Sequence, residues 1–252
     1  MTGVVMLTID SESSWMVFDA LERAFGVEHV VVEEQVSGRT LLAARARRLG
    51  WLTAAGQAAF RLLIQPLIEL ASRRRSREIA ADIGSSRPAP ERVTRVPSIN
   101  DPRTAETLRR LDPRVVVVAG TRIIKRETLD AVPAPFLNMH AGMTPRYRGV
   151  HGGYWALTQR DPEHCGVTVH LVDRGVDTGA VIAQARIEPG PRDSFATYPL
   201  LQTAAGLPLL VEGVRAALDA SLEPISVEGP SRQWYHPTAW GYLLTRIRRG
   251  VR

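Results

Sequence analysis

Asn138 and His140 stand two residues apart in APFLNMH, and Asp177 follows in the glycine-flanked segment DRGVDTG. An amide, an imidazole and a carboxylate suit the transfer of an acyl unit to an amine. A neutral amine attacks a carbonyl carbon, negative charge develops on the carbonyl oxygen, and an amide N–H stabilises it. The amine must lose a proton, and imidazole titrates in the right range to take it. A carboxylate orients the imidazole and raises its pKa. No protein nucleophile is needed, so the transfer can be direct. Taken singly, each residue has a plainer reading: a lone strand-end histidine is usually a structural hydrogen bonder, and a D-x-x-x-D-x-G loop is usually a turn.

The elements around them must bring the three together. Apolar APFLNMH (134–140) reads as a strand, and alternation puts Asn138 and His140 on one face at its end. VVMLTI (4–9), the segment 28–34, VVVVAG (115–120), GVTVHLVD (166–173) and VIAQARIEP (181–189) read as further strands. Helical spacing in WMVFDALERAFG, stopped at Gly26, and in PRTAETLRRL separates several of them. This rhythm predicts an α/β fold with a doubly wound, mostly parallel sheet, whose strand ends open onto a ligand crevice. Residues 1–192 are read as the catalytic domain. Residues 193–252 are read as a long helix begun by Asp193 or Ser194, with a short strand and basic last helix belonging to the same domain.

Residues 39–90 break the rhythm. RARRLG precedes and RRRSRE follows a largely apolar stretch, GWLTAAGQAAFRLLIQPLIELA, and SSRPAPERV (85–93) reads as a loop. Arg61, Glu69 and Pro66 interrupt the stretch, which is no transmembrane span. Three readings stay open. It packs on the domain or in a homodimer interface, it lies on a membrane surface through 49–71, or it binds another anionic partner.

The formal net charge is +6 over 252 residues, and Lys125 is the single lysine. In the charged run KRE this lysine reads as solvated rather than as a Schiff-base group. One cysteine, Cys165, excludes an internal disulfide and reads as a small buried residue in a cytoplasmic chain. His151, His164 and His170 lack metal-ligand spacing, and no metal is expected. No GxGxxG follows a strand, against a nicotinamide-binding enzyme.

The segment NMH, TPRYRG, YWAL, GVTVH and VDTG, in that order over residues 138–179, resembles the folate-dependent formyltransferases. That superfamily includes glycinamide ribonucleotide formyltransferase, methionyl-tRNA formyltransferase and the sugar N-formyltransferases. The resemblance is close over about residues 100–190 and looser elsewhere. It implies a Rossmann-like fold and 10-formyltetrahydrofolate as formyl donor. Asn138 would hold the formyl oxygen, His140 would be the acid/base group, and Asp177 would position it. Arg122, Ile123, Ile124, Val172, Asp173 and Gly175 would line the pterin pocket. Arg146, Tyr147 and Arg148 of the PRYRG turn, with Trp15, are expected on the acceptor side.

The chain departs from the family in places. The purine-pathway enzyme has a glycine- and serine-rich phosphate loop after its first strand, whereas DSESSW brings Asp10 and Glu12. Methionyl-tRNA formyltransferase carries a further tRNA-gripping domain, and only about 30 residues follow Ala220 here. The family's serine-leucine-leucine-proline segment is GMTP. The resulting expectation is a primary-amine acceptor that is small and anionic, a nucleotide-linked amino sugar, with no nucleic acid partner. Alternatives are glycinamide ribonucleotide or another small amine, hydrolysis of formyltetrahydrofolate, and a silent folate-binding or membrane-associated module.

Overall fold

The structure, a computed structural model, describes residues 2–35 and 46–252. Residues 39–45 of the expected insertion lie outside the described residues. β1 (Val4–Ile9), β2 (His29–Glu33), β3 (Val93–Val96), β4 (Val115–Ala119), β5 (Phe136–His140), β7 (Gly166–Leu171) and β8 (Val181–Arg186) form one sheet in the order β3-β2-β1-β4-β5-β7-β8. β6 (Arg148–Gly149) pairs separately with β9 (Gln233–Trp234). Pairing is parallel from β3 through β5 and antiparallel from β5 to β7 and β7 to β8. This is the doubly wound, mostly parallel Rossmann-like sheet that the strand-helix rhythm predicted.

Period-two alternation assigns the apolar strand residues to two cores. Val4, Met6, Val30, Val32, Val115 and Val117 face one side. There they meet Trp15, Phe18 and Leu21 of α1 (Glu12–Phe25) and Leu207, Leu210 and Val214 of α7 (Tyr198–Leu218). Val5, Leu7, Val31, Val116 and Val118 face the other side, against Leu108 of α4 (Pro102–Leu111) and Ile124. Helix α1 starts three residues before the predicted Trp15, because Ser11 caps it by accepting from the Ser14 amide at 3.2 Å.

The helix expected from Asp193 or Ser194 starts at Tyr198 instead. Asp193 and Ser194 sit in a preceding turn. The Thr197 hydroxyl accepts from the Ser194 amide at 2.8 Å and donates to the Asp193 carboxylate at 3.2 Å. Asp193 also accepts from Arg75 at 2.9 Å, so its capacity goes to a distant partner rather than to a helix cap.

The expected helical insertion contains α2 (Trp51–Ala59), a π turn (Phe60–Ile64) and α3 (Gln65–Ile83). Phe60 is fully buried in an aromatic cluster with Tyr154 of α6 (Gly152–Thr158), Phe195, Tyr198 and Tyr242 of α8 (Ala239–Arg249). One side of the insertion thus packs on the domain. A short helix α5 covers Arg126–Leu129, less than the predicted IIKRETLDA.

Candidate active site

The strand order reverses between β1 and β4, and the carboxyl ends of the parallel strands open there onto a crevice. A cavity of about 550 Å³ occupies it. Its walls come from the segments after β1 (Ser13, Ser14), after β4 (119–124), at the end of β5 (138–141) and after β7 (172–177). Gln57 of α2, Gln202 of α7 and Trp234 to His236 complete it.

The three residues read as a reactive centre converge. His140 Nδ1 lies 3.4 Å from Asp177 Oδ2. Its Nε2 is 2.9 Å from the Tyr147 carbonyl. A carbonyl only accepts, so Nε2 carries a hydrogen and Nδ1 is the nitrogen left to exchange a proton. Asp177 adopts a left-handed backbone (φ 52°), which Asp tolerates better than most residues. Its Oδ2 accepts from the Gly149 amide at 2.9 Å. Gly149 itself has φ 97°, and a Cβ there would collide with the Trp234 carbonyl.

His170, which the sequence left without a role, completes the cluster. It sits directly across the antiparallel β5–β7 pair from Asn138, and Asn138 Nδ2 is 3.0 Å from His170 Nε2. His170 Nδ1 donates to the Leu171 carbonyl at 2.7 Å, which places a ring proton on Nδ1 and sets Nε2 against the Asn138 amide. His170 Nε2 also lies 3.7 Å from Asp177 Oδ1.

Burial lowers the His140 pKa, opposed by the Asp177 charge and the Tyr147 carbonyl. Burial works to raise the Asp177 pKa, but His170, the His140 charge and the Gly149 amide outweigh it and hold the carboxyl below its ordinary value. A neutral imidazole thus faces an ionised carboxylate near neutral pH. Burial pushes the Cys165 thiol up to about 12, which keeps it protonated.

Arg122, Ile123, Ile124, Val172, Asp173 and Gly175 all line the cavity. The Arg122 side chain turns away, donating to Glu33 Oε2 at 2.7 Å, while its amide donates to Glu33 Oε1 at 2.7 Å. Glu33, 3% exposed, also accepts from the Ile99 amide at 2.8 Å, so one buried carboxylate ties the loop after β4 to the neighbouring strand ends. Asp173 accepts from Thr178 at 2.8 Å and from the Gly175 amide at 3.0 Å, which closes the second loop on itself.

The residues expected on the acceptor side are placed differently. Tyr147 is buried, with its hydroxyl donating to Asp161 at 2.9 Å. Arg146 lies 3.8 Å from that same carboxylate. Trp15 is in the core and donates its indole N–H to Asp10 at 2.9 Å. None of these three side chains lines the cavity. Arg148 clamps the loop that carries Asp177 instead, donating to the Val176 carbonyl at 2.7 Å. Asp10 is also less anionic in effect than the sequence suggests: Arg87 lies 3.2 Å and Arg95 3.5 Å away.

The fold and the crevice at its switch point define a doubly wound α/β chain with a cluster of polar side chains at a strand end. Residues 69–200, just over half of the chain, match the sequence family described as formyl transferase, and the chain belongs to that family. A methionyl-tRNA formyltransferase from Anaeromyxobacter dehalogenans is 35% identical over 128 residues, 50% of this chain and 41% of that protein. One from Syntrophus aciditrophicus is 32% identical over 146 residues, 58% of this chain and 46% of that protein. The match therefore spans less than half the length of either curated relative. Among solved structures, a sugar N-formyltransferase from a Shewanella species superposes with a TM-score of 0.56 at 14% identity, covering 91% of this chain and 75% of that chain. Glycinamide ribonucleotide transformylase 1 from Symbiobacterium toebii gives 0.56 at 21% identity, covering 91% and 92%. At these identities the likeness is one of fold.

Proposed function

We propose that the chain transfers a formyl group from 10-formyltetrahydrofolate to a primary amine, the amino group of a nucleotide-linked sugar. The observation that carries this reading is the cluster of Asn138, His140, His170 and Asp177 at the end of β5, facing the cavity. The cavity suits a folate in size and lining. It falls within the ordinary range of small-molecule sites, about 300–1,000 Å³. Val118, Ile123, Ile124 and Val172 give apolar walls for a flat ring, and the loops at 119–124 and 172–176 bring backbone N–H and C=O groups for its polar edge.

When bound, the folate supplies an activated formyl carbon. Asn138 gives one amide N–H to His170, and its second is the donor for the carbonyl oxygen on which charge develops. As the amine nitrogen bonds to the formyl carbon, His140 would take the amine proton at Nδ1 and return it to the folate nitrogen, which leaves as its bond to that carbon breaks. Asp177, 3.4 Å from Nδ1, stabilises the imidazolium so formed. Burial excludes water and keeps the resting imidazole neutral, as a base must be.

The acceptor assignment rests on the opposite wall. Gln57 donates to the His236 carbonyl at 2.8 Å, which leaves its Oε1, without a hydrogen-bond partner beside the cavity, to accept from a hydroxyl, and the half-buried Tyr235 supplies an aromatic ring that suits sugar C–H groups. The test supplies 10-formyltetrahydrofolate with a panel of amino-sugar nucleotides, glycinamide ribonucleotide and no amine. Formylated sugar nucleotide is the expected product. Turnover of glycinamide ribonucleotide instead would overturn the acceptor, and donor loss without an amine would show a hydrolase.

A further inference from the structure

We propose that the outer face of α2, the π turn, α3 and α8 docks on the surface of an anionic lipid bilayer. The insertion has two faces. Ala54, Gly56, Gln57, Phe60, Ser72 and Ile79 are buried against the domain. Turned away from it, Trp51, Leu52, Leu62, Leu63, Leu67 and Leu70 are each more than 60% exposed, with Leu52 at 77%.

Helical spacing joins these residues to the charges that follow. Positions 62, 63, 66, 67 and 70 share one stripe, and Arg73, Arg74 and Arg77 continue it at the same period. The last helix extends the surface sideways. Its Trp240, Leu243, Leu244 and Ile247 fall at the spacing i, i+3, i+4 and i+7, and all are exposed, Ile247 at 82%. Arg246, Arg248 and Arg249 flank that stripe. The two helices pack at Gly56, where a Cβ would collide with the Trp240 ring, which sets the two stripes side by side.

A contiguous apolar face of this size is rare on a protein that has no partner for it. Its charge pattern selects the occupant. Residues 51–83 and 239–252 together hold nine arginines against three acidic residues, Glu69, Glu78 and Asp82, with Glu78 paired to Arg74 at 3.2 Å. A second copy laid on this face would oppose arginines with arginines. An anionic bilayer supplies the complementary sign, takes up leucines at the acyl boundary, and suits tryptophans at the headgroup level. No helix among the described residues is long and apolar enough to cross a membrane, so the contact is with the surface. Gln57 of the same α2 lines the cavity, which sets the reaction centre one helix away from the docked face.

The test is flotation of the full chain with vesicles of phosphatidylcholine alone and of phosphatidylcholine with about one third phosphatidylglycerol. The protein is expected to float with the mixed vesicles and not with the neutral ones. Arg73→Ala, Arg74→Ala and Arg77→Ala should each weaken that partition roughly fivefold. Leu63→Glu with Leu67→Glu should abolish it while near-ultraviolet circular dichroism stays native, because both side chains are exposed. Flotation with neither vesicle would overturn the proposal. So would equal flotation with both, or a dimer by sedimentation that Leu63→Glu dissociates.

Discussion

Asn138 and His170 face each other across the antiparallel β5–β7 pair, and their side chains meet at 3.0 Å. The strand register fixes that contact, and the Leu171 carbonyl fixes the proton on the far side of the His170 ring. The amide is therefore held in one orientation before any ligand arrives. Replacing His170 by Ala should leave the amide free to turn and lower kcat by about tenfold, the size of one positioning hydrogen bond. Folate affinity should change little. Steady-state kinetics with a folate titration separates the two effects.

The pH profile should report the buried imidazole. Burial lowers the His140 pKa from its ordinary 6.5, so the rising limb of kcat/KM should lie below that pH. The Asp177 charge opposes the shift. Asp177→Asn should therefore move the limb to still lower pH while reducing kcat. A limb that rises in pH would contradict the assignment.

Asp177 also couples the site to stability. Its folded pKa lies below the ordinary 3.8, so it contributes stability above that pH and loses it as pH falls through the folded value. Acid unfolding of Asp177→Asn should show a shallower loss of stability below pH 3.8 than the parent chain.

Gly149 should tolerate no side chain. Its φ of 97° and the closeness of the Trp234 carbonyl predict a loss of about 1–3 kcal/mol for Gly149→Ala, read as a lowered Tm. Activity should fall as well, because the same amide holds Asp177.

The two faces of the insertion should respond differently. Phe60→Ala removes a fully buried ring from the aromatic cluster and should cost about 3–5 kcal/mol in denaturant unfolding. Leu63→Ala, on the exposed face, should stay within about 0.5 kcal/mol of the parent.

The sheet was legible because its strands are short, uninterrupted β-branched runs that only burial explains, as in VVVVA at 115–119. The convergence of Asn138, His140 and Asp177 was legible because two share a strand face and the third lies in a glycine-flanked loop. His170 was not, because its meeting with Asn138 depends on an inter-strand register that no local pattern encodes. Tyr147, Arg146 and Trp15 were assigned to the acceptor by type and neighbourhood. Their directions are set by Asp161 and Asp10, partners that only the folded chain brings close. The cavity wall from Trp234 to His236 belongs to a tail read only as a short strand and a basic last helix, and its placement comes from pairing with Arg148 and Gly149 far back in sequence. The start of α7 was misplaced because Asp193 resembles a cap while its carboxylate serves Arg75.

The most direct measurement of the central claim compares the parent chain with His140→Ala in single-turnover formyl transfer, with tetrahydrofolate affinity measured in parallel. Loss of the base should slow transfer by about 10²–10⁴-fold and leave folate binding within a fewfold of the parent. Transfer at the parent rate in His140→Ala would contradict the account.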